Sequence, residues 1–309
     1  MNTTKTVSSL FHLNNHKAHE KLNVRARISI LPHDPNPKYL GVTLDRTLSY
    51  KRHIINTANK LQKRNGIIKK LTGTSWGTTP TVLRISSLAL CYSAAEYCAP
   101  VWSRSSHTHK IDTRLNESMR AISGTLKSTP TSWLPVMSAI APPHLRREAA
   151  CQRQHQRMNQ TTYNTPLREV ISNAPKTSRL KSRKPFYKTE NSSFDITTAW
   201  KEEWNRHKPK GGNIIEDPSV VPLPGFHTLS RKEWTSCNRI RARHGRTMVN
   251  LQRWGYASSP TCPSCNNAEQ TMDHIILHCP ATATPGGYEL IHKADDDFQR
   301  WLADTDVEL

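Results

Sequence analysis

Apolar residues recur at helical spacing along much of this chain and alternate only near its start. Val24, Ala26, Ile28 and Ile30 alternate with Arg25, Arg27 and Ser29, the pattern of a half-buried strand. With Val7–Leu13 this gives two short β segments, too few for a stable sheet in water. They read as the edge of a larger sheet. In the next stretch, Leu31–Asp45, three prolines bar helix as far as Pro37. Tyr39–Leu44 predicts another short strand, with Gly41 marking a bulge or a close backbone approach.

Helical spacing then takes over. Ile54, Ala58, Leu61, Ile68 and Leu71 define a helix over 50–71, with Thr47 as its cap. Gly73 and Gly77 end it, and Thr79 followed by Pro80 starts the next. That second helix, to about Tyr97, has Leu83, Ser87, Leu90 and Ala94 in its stripe. It carries no charge from Ile85 to Ala95, which predicts a central position. Ile111, Leu115, Met119 and Ile122 predict a third helix over 109–123. The segment SGTLKSTPTSWLPV reads as a loop, and Pro142 and Pro143 open a fourth helix carrying Leu145, Arg146 and Arg147.

Past residue 160 apolar residues thin out, and Asn, Ser, Thr, Pro and Lys dominate. The stretch Thr177–Lys188 is rich in Lys and Arg, which predicts a basic, flexible linker over 161–229 with one short helix at Ile196–Trp204. Periodicity returns after Ser230, a cap for a helix on which Trp234, Cys237 and Ile240 or Arg241 share a face. The expected fold is therefore mainly α. Short β segments occupy 1–45, a small helical domain 46–160, the linker 161–229, and a small C-terminal α domain 230–309.

Charge changes the picture. The chain has 44 Lys and Arg against 24 Asp and Glu, a net charge of +20. A surplus of that size points to a polyanionic partner, RNA or DNA. No acid lies between 46 and 72, so Lys51, Arg52, Lys60, Lys63, Arg64, Lys69 and Lys70 make the first long helix an amphipathic basic one suited to phosphates. Arg239, Arg241 and Arg243 form a second candidate group. No apolar run is long enough to cross a bilayer, and seven cysteines without a secretory leader indicate an intracellular setting, nucleus or cytoplasm.

The sharpest chemistry lies in CPSCNNAEQTMDHIILHC. Cys262, Cys265, His274 and Cys279 follow the spacing C-x2-C-x8-H-x4-C. Zinc takes four thiolate or imidazole ligands in a tetrahedron, and a C-x2-C knuckle turns two sulfurs to one side. His278 competes with Cys279 for the fourth place, and thiolate is the stronger ligand. Four donors with no open position make the metal structural. The eight-residue gap separates this pattern from the retroviral knuckle. His244 sits among arginines with no nucleophile or carboxylate in sequence reach, so it reads as structural or phosphate-contacting. The acid run Asp295–Asp297 reads as a solvated helix start.

Three stretches carry a resemblance. KYLGVTLDRTLSYKRHI (Lys38–Ile54) resembles the segment after the palm in reverse transcriptases of jockey-like non-LTR retrotransposons. LALCYSAAEYCAPVWSRSS is similar to their helical thumb, and Asn238–Pro280 to their C-terminal zinc-motif region. The resemblance implies a thumb-like domain, nucleic-acid binding and zinc on Cys262, Cys265, His274 and Cys279. Catalysis in that family uses magnesium on palm aspartates, including a YxDD turn, and this sequence contains no YxDD. The implied function is the nucleic-acid-binding C-terminal part of an RNA-directed DNA polymerase without catalytic residues of its own. Magnesium is expected only in the complete polymerase, and docking on a separate palm-and-fingers polypeptide follows as an expectation. The competing reading is a zinc-stabilised protein-interaction adaptor of retrotransposon origin.

Overall fold

The computed structural model describes residues 6–26, 28–160, 169, 194–305, 307 and 309. The basic stretch 177–188 lies outside them. The described chain is mainly helical, with a few short strands. Its helices in the first half are α1 (Lys51–Lys69), α2 (Pro80–Ser87), α3 (Ser93–Ala95), α4 (Ala99–Trp102), α5 (His109–Ser123), α6 (Trp133–Ser138) and α7 (Pro143–Gln160). Then follow α8 (Ile196–Arg206), α9 (Arg231–Arg241), α10 (Met248–Arg253), α11 (Gly287–Lys293) and α12 (Asp296–Thr305).

The strands form two minimal hairpins. β1 (Arg25–Ala26) pairs antiparallel with β2 (Ser29–Ile30), and β3 (Lys38–Tyr39) with β4 (Val42–Thr43). In the first, Ile28 and Ile30 stand in solvent, so the alternation there buries little. In the second, Leu40 and Gly41 both take positive φ, 44° and 84°, in a two-residue turn. A side chain at Gly41 would meet the Tyr97 ring at 2.8 Å, and the Tyr97 hydroxyl donates to the Leu40 carbonyl at 2.9 Å. The glycine marks a close approach.

α1 begins at Lys51, and Thr47 is not its cap. Thr47 Oγ1 and the Ser49 N–H both donate to Asp45 Oδ1, while Ser49 Oγ accepts the Lys51 N–H. Ile54, Ala58, Leu61 and Ile68 are buried as their spacing requires, and Leu71 lies beyond the helix, half in solvent. α2 starts as expected, with Thr79 Oγ1 accepting from the Val82 N–H and Pro80 at the first turn. Its stripe then changes phase. A π turn over Leu88–Tyr92 inserts one residue, which turns Cys91 and Tyr92 inward and leaves Leu90 partly exposed.

Contacts group the described chain into two units. One takes residues 1–62, 93–114 and 146–194, the other 63–92, 115–145 and 195–309. In the first, Ile54, Leu61, Trp102 and Ile111 are buried. Arg147, 7% exposed at its side chain, pairs through both terminal nitrogens with Asp112, and its guanidinium lies 5.9 Å over the Trp102 ring. The second is built on aromatic anchors. Trp204 of α8 meets Trp133 of α6 edge-on at 5.5 Å, and Phe226 meets Trp234 of α9 at 5.3 Å. α6 stands where the sequence reads as loop. Pro130 and Pro135 suggest a loop, but Pro135 falls in the first turn, where no intrahelical N–H donor is needed. Its residues from Trp133 to Ser138 are all buried.

Candidate functional site

The segment from Thr261 to Cys279 forms two turns that face each other. In the first, the Cys262 N–H donates to the Ala268 carbonyl and the Asn266 N–H to the Cys262 carbonyl, each at 2.8 Å. Asn266 takes the left-handed conformation (φ 54°) that closes this loop, and Thr261 bridges antiparallel to Glu269. The N–H groups of Ser264 and Cys265 donate to the Cys262 sulfur. The second is a π turn over His274–His278, in which the Cys279 N–H donates to the His274 carbonyl at 2.7 Å. A bond across five residues brings His274 and Cys279 to the same side, as an α-helical turn would not. Buried Ile275 and Ile276 anchor that turn in the core.

The result is a cluster of four donor atoms, Cys262 Sγ, Cys265 Sγ, His274 Nε2 or Nδ1, and Cys279 Sγ, all within 4.8 Å of one another. Cys262 Sγ and Cys279 Sγ are 3.9 Å apart, and Cys265 Sγ and His274 Nε2 are 3.3 Å apart. Thiolates about 2.3 Å from a tetrahedral zinc would be about 3.8 Å from each other, so the spacing fits that ion. Cys262, His274 and Cys279 are buried and Cys265 half-buried. His278 is exposed and outside the cluster. Burial pushes the Cys262 thiol up. Burial pushes Cys279 up as well, yet its pKa falls, because the Thr282 hydroxyl and the N–H groups of Ala281 and Thr282 donate to its sulfur. Donors aimed at a sulfur favour the thiolate a metal needs.

The cations divide into two populations. On α1, Lys51, Arg52, Lys60, Lys63 and Lys69 are exposed, as is Lys70 just past its end, while Arg64 is half-buried and donates to the Leu90 carbonyl. Arg239 and Arg241 of α9 do not face solvent; they are 3% and 2% exposed. α5 ends at Ser123, and the last carbonyls of a helix have no partners within it. α9 supplies them. Arg231 donates to the carbonyls of Ala121 and Ile122, Trp234 Nε1 to Ile122, Asn238 to Ser123 and Arg239 to Gly124, at 2.9–3.1 Å. Cationic side chains also suit the negative end of the α5 dipole. Arg241 spends its fork on Asn238 Oδ1 and the carbonyls of Pro224 and His292. Burial lowers Arg231 and Arg239 to about 10, which leaves both charged at neutral pH. Arg243, half-buried, lies 4.3 Å over the Tyr288 ring and 3.3 Å from Asp273.

His244 is structural in its contacts. Its Nε2 is 2.7 Å from Ser128 Oγ, its ring meets Trp254 edge-on, and burial lowers its pKa. Asp295, Asp296 and Asp297 are exposed at the start of α12, where Asp295 Oδ1 accepts the Phe298 N–H. Asp273 and Tyr288 escaped the sequence reading, since nothing in the sequence links them to each other or to Arg243. No helix among the described residues is long and apolar enough to cross a membrane.

These features define a helical region organised around a Cys3His site that fits structural zinc. The model of a family described as zinc-binding in reverse transcriptase matches residues 234–284, which run from α9 through all four ligands. Residues 234–284 are therefore a reverse-transcriptase-related zinc-binding region. No curated protein and no solved structure matches the chain.

Proposed function

We propose that this chain is the nucleic-acid-binding C-terminal part of an RNA-directed DNA polymerase of a jockey-like non-LTR retrotransposon, without the catalytic palm. The observation that carries this is the coincidence of the family match with four ligand atoms brought together. In this reading residues 46–160 act as a thumb, and α1 holds RNA or DNA by its phosphates. It works inside the cell, in nucleus or cytoplasm, and docks on a separate palm-and-fingers polypeptide. The outward stance of five α1 cations, with Lys70 next to them, supports the phosphate contacts. Zinc, held by Cys262, Cys265, His274 and Cys279, stabilises the fold near α9 and takes no part in chemistry.

The test is salt dependence. Each phosphate contact releases condensed counterions, so log affinity should fall with log salt by about 0.9 per contact on duplex DNA. Replacing Lys63, Lys69 and Lys70 together with Ala should weaken binding to all sequences alike and flatten that slope by up to about 2.7. An unchanged slope would restrict these lysines to solubility. One observation favours the adaptor reading: Trp76, Val82 and Ile85 are exposed apolar residues, at 60%, 45% and 60%. An adaptor would bind a protein with little response to salt and would not bind duplex.

A further inference from the structure

A cavity of about 420 Å³ lies beside the metal centre, lined by Lys208, Lys210, Gly211, Arg241, Arg243 and Tyr288 among others. That size is within the range of small-molecule sites, about 300–1,000 Å³. Its wall is strongly cationic. Asp273, the residue before the ligand His274, contacts three of the cavity's lining residues. Asp273 accepts from Lys210 Nζ at 2.9 Å and from the Tyr288 hydroxyl at 2.6 Å, and sits 3.3 Å from Arg243 Nη1. One carboxylate thus pairs with two of the four lining cations, Lys210 and Arg243, and among the described residues none pairs with Lys208 or Arg241.

Two donors are left over. Arg241 Nε and Arg243 Nε are buried without a hydrogen-bond partner; Arg241 is 2% exposed, and its two terminal nitrogens are each bonded. A buried N–H without a partner is costly and calls for an explanation, such as a ligand or an ordered water. Gly211 keeps the space beside Arg243 Nε open. It has φ 82°, and a side chain there would come to 3.1 Å from Arg243 Nε. The Tyr288 ring lies beneath the Arg243 guanidinium carbon, 4.3 Å from its centroid, and helps to hold that side chain in place.

We propose that this cavity is a phosphate site, closed on one side by the guanidiniums of Arg241 and Arg243 and on the other by the ammonium groups of Lys208 and Lys210. Planar guanidiniums suit phosphate oxygens, and lysines add charge at the mouth. The phosphate could come from a nucleic-acid backbone, from the 5′ end of a strand, or from a free nucleotide. None of the cavity's lining residues is on α1, and the proposal does not depend on the role of that helix.

The experiment is calorimetric titration of the zinc-loaded full chain with inorganic phosphate, a nucleoside 5′-monophosphate, and matched short oligonucleotides with and without a 5′-phosphate. Lys208→Ala/Lys210→Ala should weaken phosphate binding by about tenfold per ammonium removed. Lys232→Ala/Lys293→Ala removes the same charge from exposed positions elsewhere and should leave it unchanged. The α1 triple variant should also retain it, which separates failure here from failure of the polymerase reading. Preference for the 5′-phosphorylated strand over its 5′-hydroxyl match would assign a terminal phosphate, and equal binding would assign the backbone. No binding by any probe, or equal losses in the two lysine pairs, would overturn the proposal.

Discussion

His292 shows how one residue can bear a pH dependence. It is half-buried beside Arg241, and burial, then the Arg241 charge, lowers its pKa from 6.5 to about 4. The folded state therefore holds His292 neutral while an unfolded chain would protonate it below about 6.5. Between about 6.5 and about 4 the unfolded state binds the extra proton, so stability falls as pH falls through that window. Urea melts of zinc-loaded protein at about pH 7 and about pH 5 should show a larger loss for the wild type than for His292→Gln. Equal losses in both would mean that His292 titrates normally. The metal ligands show the other side of residue-scale reading. The preference for Cys279 over His278 rests on ligand strength in the sequence, and the structure puts Cys279 in the cluster and His278 in solvent. Arg239 and Arg241 were less legible. A count of cations cannot register that a helix is buried at every position from Trp234 to Arg241.

At the scale of elements, α9 is the piece the sequence describes least well. Its start was readable, because Ser230 and Glu233 form a reciprocal capping box. Its use was not. Four of its side chains satisfy the end of α5, a helix more than 100 positions earlier, and nothing local encodes that distance. Arg239→Ala should strand the carbonyls of Gly124 and Leu309 and cost about 2–4 kcal/mol in denaturant melts. Arg239→Lys should not rescue it, since one ammonium cannot reproduce a fork. Lys63→Ala should stay within about 0.5 kcal/mol of wild type. A stable Arg239→Ala that bound nucleic acid poorly would return this arginine to the interface. Where periodicity is unbroken the sequence was sufficient: Ile111, Leu115, Met119 and Ile122 mark α5, which spans His109–Ser123 with all four buried. The π turn after α2 defeated the same rule, because an inserted residue shifts the phase without changing composition.

At the scale of the whole chain, sparse apolar content concealed how much structure large aromatics can support. Residues 194–229 hold few aliphatic side chains, yet Trp200, Trp204 and Phe226 are each buried. The metal site was legible from spacing alone because its ligands fall within 18 positions of sequence. The cavity beside it was not, since its lining comes from 208–214, the end of α9 with Arg243 just past it, and α11. Structural zinc contributes about 10–16 kcal/mol of folding energy in short finger peptides, and α9 with its neighbours should inherit part of it.

The most direct test is metal analysis of the full chain, purified under reducing conditions, by native mass spectrometry with a parallel melt. The chain should carry one zinc, and chelation should lower its melting temperature. Cys265→Ser and His274→Ala should lose the metal and melt like the chelated protein, whereas His278→Ala should keep both metal and stability. Zinc-free protein that melts unchanged by added zinc, or a Cys265→Ser variant that retains a full equivalent, would contradict the assignment.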